Sequence, residues 1–321
     1  MQSPNNTLLL FGMPRSGTTW LAKMIDSHPD VIYRHEPDSE KKIPIPLITQ
    51  SNERYDEIVG EYGRGILNLR TIKTCGKAPF FNKSYFNPFT ASLLVGSVYL
   101  AKLAKRVNVS IKIIEHLASD KDLCLLWKSI ESVGRIETIM AGMPECKMIY
   151  IIRHPCGQIA SVLNGEKSRY FSSAIQTADD FGVFERLLDT DAAKQRNLTL
   201  DQLKSCTPIQ RLAYRWLLYN EHALNSLKKY ADRSFVVRYE DVCEKPLDML
   251  KDIFDFSELV WHSQVETFIN NSISEDSYNY YSVYKNPRIA MNKWKEELTR
   301  QEVDDIYNII ANSLCHDYYK F

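Results

Sequence analysis

The sequence predicts an α/β fold, with a P-loop-type parallel sheet flanked by helices. Three observations carry this. Short apolar runs of strand length recur along the chain. Stretches with apolar residues three and four apart separate them. The first run ends at a glycine turn that opens straight into a helical stretch. A parallel sheet with helices on both faces is buried throughout, so its strands read as apolar runs rather than as alternating patterns.

The elements follow in order. Residues 7–12 form the first buried strand, Leu8 to Phe11 closed by Gly12. Trp20, Leu21, Met24 and Ile25 give 17–27 a helical spacing. Residues 30–37 read as a second strand and 123–127 as a third, followed by an amphipathic stretch over 130–143. A fourth strand over 147–152 precedes a helix over about 157–164. The long stretch 207–230 is helical, with Pro208 suited to its first turn. Residues 234–238 make a fifth strand, 245–256 a helix with Pro246 near its start, and 297–314 a surface helix. Two segments, 40–121 and 168–206, break the alternation, although 89–106 within the first reads as a helix. Insertions of this kind between core elements build lids and acceptor-binding loops. We read residues 1–321 as one domain carrying these two insertions.

Composition narrows the function. Of 321 residues, 44% are hydrophobic, and 40 basic residues balance 40 acidic ones. Zero net charge argues against a nucleic-acid partner and against broad binding to anionic membranes, though not against a local basic pocket. No apolar run approaches the roughly 18 residues of a membrane span, and the polar start lacks the pattern of a signal peptide. Seven scattered cysteines without CxxC pairs point to free thiols. A cytoplasmic, soluble protein is the expectation.

The segment Gly12, Met13, Pro14, Arg15, Ser16, Gly17, Thr18, Thr19, Trp20 follows a strand and opens a helix. Backbone N–H groups at such a turn point at a bound anion, and the helix dipole favours negative charge there. Gly17 permits close approach, the hydroxyls donate, and Arg15 supplies a fixed cation. It is not the nucleoside-triphosphate loop, which needs Lys after its second Gly. Thr18 stands at that place, so a nucleotide kinase or other P-loop phosphotransferase is the runner-up reading. A second basic site lies at 148–155, a buried strand ending in Arg153, with Ser161 in the following helix. Strand ends in open α/β sheets face the ligand crevice. Taken alone, Arg153 reads more readily as the partner of a neighbouring carboxylate.

Together the two sites resemble a known family, the sulfotransferases that use 3'-phosphoadenosine 5'-phosphosulfate (PAPS). The stretch from Pro14 to Trp20 is similar to the family's 5'-phosphosulfate loop. Arg153 and Ser161 are similar to its 3'-phosphate site, about 130 residues further on. Val237, Arg238, Tyr239, Glu240 and Asp241 resemble the family's Tyr-Glu-Asp strand end, and Trp216 and Asn220 the helix before it. The resemblance implies that Trp20 and Tyr239 lie at the adenine, although both read equally well as core aromatics. Arg288 is a loose relative of the residue in the loop that closes on the 3'-phosphate.

In the cytosolic small-molecule branch a His closes a Lys-Thr-His segment and acts as base. Here the matching segment is Lys128, Ser129, Ile130, so Lys128 keeps the cation and the base is displaced. Glu36, followed by Pro37, resembles the Glu-Pro of carbohydrate sulfotransferases, and tyrosylprotein sulfotransferases also use a Glu base. The expected chemistry is sulfuryl transfer from PAPS to an acceptor hydroxyl, of a carbohydrate or another small molecule. Glu36 is the base; Arg15 and Lys128 stabilise the leaving phosphate; no metal is called for. His35 is the rival base, and if the strand continues through Glu36, alternation lets only one of the two face the site. A carboxylate simply paired with Arg34 is the other reading of Glu36. A PAPS-binding protein without catalysis is the non-enzyme alternative.

Overall fold

The structure, a computed structural model, describes residues 6–50, 54–109, 111–115, 122–168, 175–274 and 287–319. Five strands, β1 (Asn6–Phe11), β2 (Val31–His35), β3 (Cys124–Ser129), β4 (Cys146–Ile152) and β5 (Ser234–Arg238), form one parallel sheet in the order β2-β3-β1-β4-β5. The chain runs from β1 outward to β2, back to β3, and then across to β4 and β5. The order therefore reverses beside β1, and the crevice beyond its carboxyl end is where such sheets bind ligands.

The apolar runs are explained by helices on both faces. Leu9, Phe11, Trp127 and Tyr150 pack on one side with helices Ile136–Gly142, Pro155–Lys167 and Pro208–Lys228. Leu8, Leu10, Leu126 and Ile149 pack on the other with helices Thr18–Asp26 and Pro246–Ser257. Each fully buried aliphatic or aromatic side chain contributes on the order of 1.5–3 kcal/mol. Successive residues of each strand therefore serve two different cores.

Several boundaries differ from the reading of the sequence. The second strand stops at His35, because Glu36 takes a left-handed conformation (φ 47°) and caps a short helix, Pro37–Glu40. The stretch 130–143 is a 3-10 turn, Ser132–Arg135, running into Ile136–Gly142. The C-terminal stretch is two helices, Trp294–Glu297 and Arg300–Ile310. Thr299 restarts the second through a capping box with Glu302. This second helix is a surface helix, with Arg300, Gln301, Asp304 and Asn308 exposed, anchored by Ile306 and Ile310, which are fully buried beside Pro208–Lys228. A helix over Ser263–Ser274, with Val265 and Ile269 buried, adds to the second face. All seven cysteines are free. Among the described residues no helix is long and apolar enough to cross a membrane.

Candidate active site

The loop leaving β1 is shaped by two left-handed residues, Arg15 (φ 72°) and Gly17 (φ 86°). At Gly17 only glycine fits: a Cβ there would lie 2.4 Å from the Tyr239 ring. The Ser16 N–H donates to the Met13 carbonyl at 3.1 Å and closes the turn. Gly17 then caps helix Thr18–Asp26 with no side-chain cap. The Trp20 N–H donates to the Gly17 carbonyl at 3.1 Å, while the N–H groups of Thr18 and Thr19 precede the first intrahelical bond and point where an anion can take them. Ser16 and Thr18 are buried, Thr19 and Trp20 half-buried, and Pro14 exposed.

β4 and the helix after it hold this loop from behind. Arg15 Nε donates to Ser161 Oγ at 3.0 Å, and Gln158 Nε2 to the Pro14 carbonyl at 2.8 Å. Arg153, at the end of β4, donates to the Arg15 carbonyl at 2.8 Å and to the Ala290 carbonyl at 3.1 Å. Its guanidinium lies 4.6 Å from the centre of the Tyr239 ring. Arg153 is only 9% exposed, and its buried Nε has no hydrogen-bond partner among the described residues. The Trp20 and Tyr239 rings meet edge-to-face at 6.3 Å. The structure thus brings Arg15, Arg153, Ser161, Gly17, Trp20 and Tyr239 to one place. Arg288 is not among these contacts; it is exposed on helix Pro287–Asn292, the element that supplies the Ala290 carbonyl. Lys285 and Asn286 lie outside the described residues. His154 stacks on Trp294, with ring centres 4.8 Å apart. Burial, then the charges of Arg153 and Lys295, push it down to about 4, so it is neutral at pH 7.

A second cluster forms at the ends of β2 and β3. The Glu36 N–H donates to the Lys128 carbonyl at 2.8 Å, and the Lys128 ammonium donates to Glu36 Oε1. Lys73 stands 3.3 Å from Glu36 Oε2, and His35 Nε2 lies 3.7 Å from Oε1. Burial, the largest single influence, raises the Glu36 pKa; the charge and hydrogen bond of Lys128 with the charges of His35 and Lys73 together outweigh it and hold the carboxyl at about 2. Lys128 is 1% exposed, and burial pulls its ammonium below the ordinary lysine value against the attraction of Glu36. Burial, followed by the Lys128 charge, drives His35 down to about 2, and its Nδ1 meets the Tyr33 hydroxyl at 2.6 Å.

Alternation does not separate His35 from Glu36. The strand ends between them, and the left-handed turn at Glu36 returns its side chain to the same cluster. Arg34 is not the partner of Glu36; it points the other way and grips Glu115 through both terminal nitrogens, at 3.1 and 2.5 Å. β3 pairs with β1 so that Lys128 faces Leu10, one residue before Phe11 and the loop.

Two lysines of the first insertion escaped the reading of the sequence. Lys73 touches Glu36 directly. Lys77 feels the charges of Lys128 and Glu36 and lines a cavity of about 60 Å³ that opens to solvent. Tyr33, Phe80, Phe81, Phe86 and Lys23 also line it. No spacing in the sequence ties residues 73 and 77 to residue 36. Among the described residues no group of three or more His, Cys, Asp or Glu stands at metal-binding distance.

Comparison with known proteins adds the family. A family model described as the sulfotransferase family matches residues 8–263. Carbohydrate sulfotransferase 3 of Mus musculus is 35% identical over 65 residues, 20% of this chain and 14% of that protein. Carbohydrate sulfotransferase 1 of Danio rerio is 20% identical over an alignment covering 98% of this chain and 77% of that protein. Among solved structures, mouse sulfotransferase SULT7A1 complexed with PAP aligns over 99% of this chain and 90% of its own, at 12% identity and a TM-score of 0.45.

Proposed function

The chain belongs to the sulfotransferase family, and from that premise we propose that it moves a sulfuryl group from PAPS to an acceptor hydroxyl with Glu36 as general base. The observation that carries the donor assignment is the tie between the two basic motifs. Arg15 bonds Ser161, Arg153 bonds the Arg15 backbone, and the buried Arg153 Nε has no partner among the described residues. A phosphate ester fits this setting. The loop N–H groups and Arg15 would take the 5'-phosphosulfate, and Arg153 with Ser161 the 3'-phosphate. Trp20 and Tyr239 would flank the adenine.

In the reaction the acceptor oxygen attacks sulfur. The bond from sulfur to the bridging oxygen of the 5'-phosphate breaks in line, and its electron pair leaves on that oxygen. The acceptor proton passes to Glu36. Lys128, Arg15 and the loop N–H groups stabilise the charge on the leaving oxygen. Glu36 held at about 2 by Lys128 is a weak base. Once Lys128 has the leaving oxygen as a second partner, its hold on Glu36 loosens and the carboxylate gains basicity. The same ammonium thereby couples departure of the phosphate to removal of the proton.

For the acceptor, the cavity beside Lys77 supports a sugar or another small hydroxylated molecule. Tyr33 and three phenylalanines line it, and aromatic faces suit the apolar side of a sugar ring. The matches to carbohydrate sulfotransferases favour a glycan hydroxyl. Calorimetric titration with 3'-phosphoadenosine 5'-phosphate (PAP) tests the donor site, wild type beside Arg153→Ala, with ATP as the control. Tight binding that the mutant loses and ATP does not reproduce supports the reading. A preference for ATP would return the chain to the phosphotransferases. Tight binding of PAP without sulfuryl transfer to any glycan or small hydroxyl acceptor would leave a binding protein.

A further inference from the structure

Whole-chain neutrality hides a local asymmetry. Residues 88–114 contain Lys102, Lys105, Arg106 and Lys112 and no Asp or Glu. Most of this stretch is helix Pro88–Lys105, whose inner face buries Leu94, Val98 and Ala101. Its outer face carries an apolar stripe at 89, 93, 96, 100, 103 and 107, alternately four and three residues apart. In this stripe Phe89 is 71% exposed, Leu100 58%, Leu103 57% and Val107 70%. Tyr99 flanks it, and Val109, Ile111 and Ile114 extend the exposed apolar surface beyond the helix. Soluble proteins rarely leave so many large apolar side chains together in water without a use for them.

We propose that this face docks on an anionic lipid surface, with Phe89, Leu100, Leu103 and Val107 entering the acyl boundary and Lys105, Arg106 and Lys112 meeting lipid phosphates. Helices that lie in the membrane plane combine an apolar face, an aromatic at its edge and a flank of Lys and Arg. Basic residues beside a membrane each add attraction to anionic headgroups. The long stems of Lys105 and Arg106 reach past the apolar stripe to headgroup level. The 4-3 spacing also suits a two-stranded seam, but the charge pattern opposes a second copy. Gly96 offers no knob, the flanking positions Thr90, Ser92, Ser97, Tyr99 and Ala104 carry no charge, and the one charged flank, Arg106, has no acidic counterpart in the segment. The inner face of the same helix lines the cavity through Ala91, Leu94 and Val95. Docking would thus set that cavity at the headgroup layer. The further step, that a lipid-borne hydroxyl is the acceptor, rests on the sulfotransferase reading; the docking itself does not.

The test is co-sedimentation of the full chain with vesicles of phosphatidylcholine alone and with about one third phosphatidylglycerol. Wild type is expected to sediment with the anionic vesicles, to stay in solution with the neutral ones, and to be released by high salt. Leu100→Ser with Leu103→Ser, and separately Lys105→Glu with Arg106→Glu, are each expected to weaken binding about tenfold or more. Circular dichroism checks that these surface variants fold as wild type does. Failure to bind anionic vesicles, or binding that neither pair alters, overturns the proposal. So does a lipid-free dimer by light scattering that the leucine pair splits, which would show a second copy covering the face. PAP titration separates the two readings. Vesicle binding in a protein that ignores PAP would sink the sulfotransferase proposal and leave this one standing.

Discussion

Arg15 and Ser161 are 146 residues apart in sequence and joined by a 3.0 Å hydrogen bond from the guanidinium Nε to the hydroxyl. That bond links the loop after β1 to the helix after β4 across the point where the sheet order reverses. It orients Arg15 and at the same time fixes the separation of the two basic motifs.

A first prediction follows from this bond. Ser161→Ala removes one hydrogen bond to a charged group and should weaken PAP about tenfold, and Arg15→Ala should weaken it about 10- to 100-fold. Arg15→Lys should fall between them, because an ammonium keeps the charge and loses the planar fork. Calorimetry reads all three. Wild-type affinity in both Ser161→Ala and Arg15→Ala would remove the pair from the donor site.

Gly17→Ala tests the loop conformation. Its Cβ would sit 2.4 Å from the Tyr239 ring, at a backbone φ of 86°. The left-handed conformation costs on the order of 1–2 kcal/mol for alanine, and the clash adds to it. Chemical denaturation should show a loss of at least that size, together with weaker PAP binding. Adding Tyr239→Ala should recover only the part due to the clash. Full recovery would show that the ring, and not the backbone, demands glycine.

The ion pair of Glu36 and Lys128 sets a pH dependence. The folded carboxyl titrates at about 2, below its ordinary 4.5. Its contribution to stability is therefore fully present above about 4.5 and is lost as the pH falls through about 2. The shift corresponds to on the order of 3 kcal/mol. Urea unfolding should show a constant gap between wild type and Glu36→Gln at pH 5–7, closing below about pH 4. A gap that persists into acid would mean that Lys128 does not hold the carboxylate.

The strands were legible because both faces of this sheet are covered. Leu8, Leu9, Leu10 and Phe11 are all fully buried, so local composition alone marks the element. Gly17 was legible because a left-handed N-cap pressed against an aromatic ring requires glycine. Helix Ser263–Ser274 also carries a signal, Val265, Phe268, Ile269 and Ser272 at helical spacing, obscured by the polar residues between them. Lys73 carried none. Its approach to Glu36 is a tertiary event, set by how an irregular insertion folds back over β2. His35 and Glu36 share a cluster for a local reason: alternation holds only while a strand continues, and here it stops at His35.

His35 and Glu36 therefore share one cluster, and kinetics must separate them. A histidine at about 2, with Nδ1 engaged by the Tyr33 hydroxyl, is neutral but has little basicity, and burial, the largest cause, persists even when Lys128 shares its charge with the donor. Glu36 differs, because burial favours proton uptake by a carboxylate and opposes it in an imidazole, so only Glu36 becomes an effective base as Lys128 shifts toward the leaving oxygen. Glu36→Gln should lower kcat on the order of 10²- to 10⁴-fold while PAP binding holds. His35→Gln keeps a polar partner for Tyr33 and should cost about tenfold or less, mainly through position. A single-turnover assay with preloaded PAPS and a glycan acceptor measures both. Should His35→Gln abolish turnover while Glu36→Gln retains it, the base assignment passes to His35, and Glu36 becomes the residue that positions Lys128.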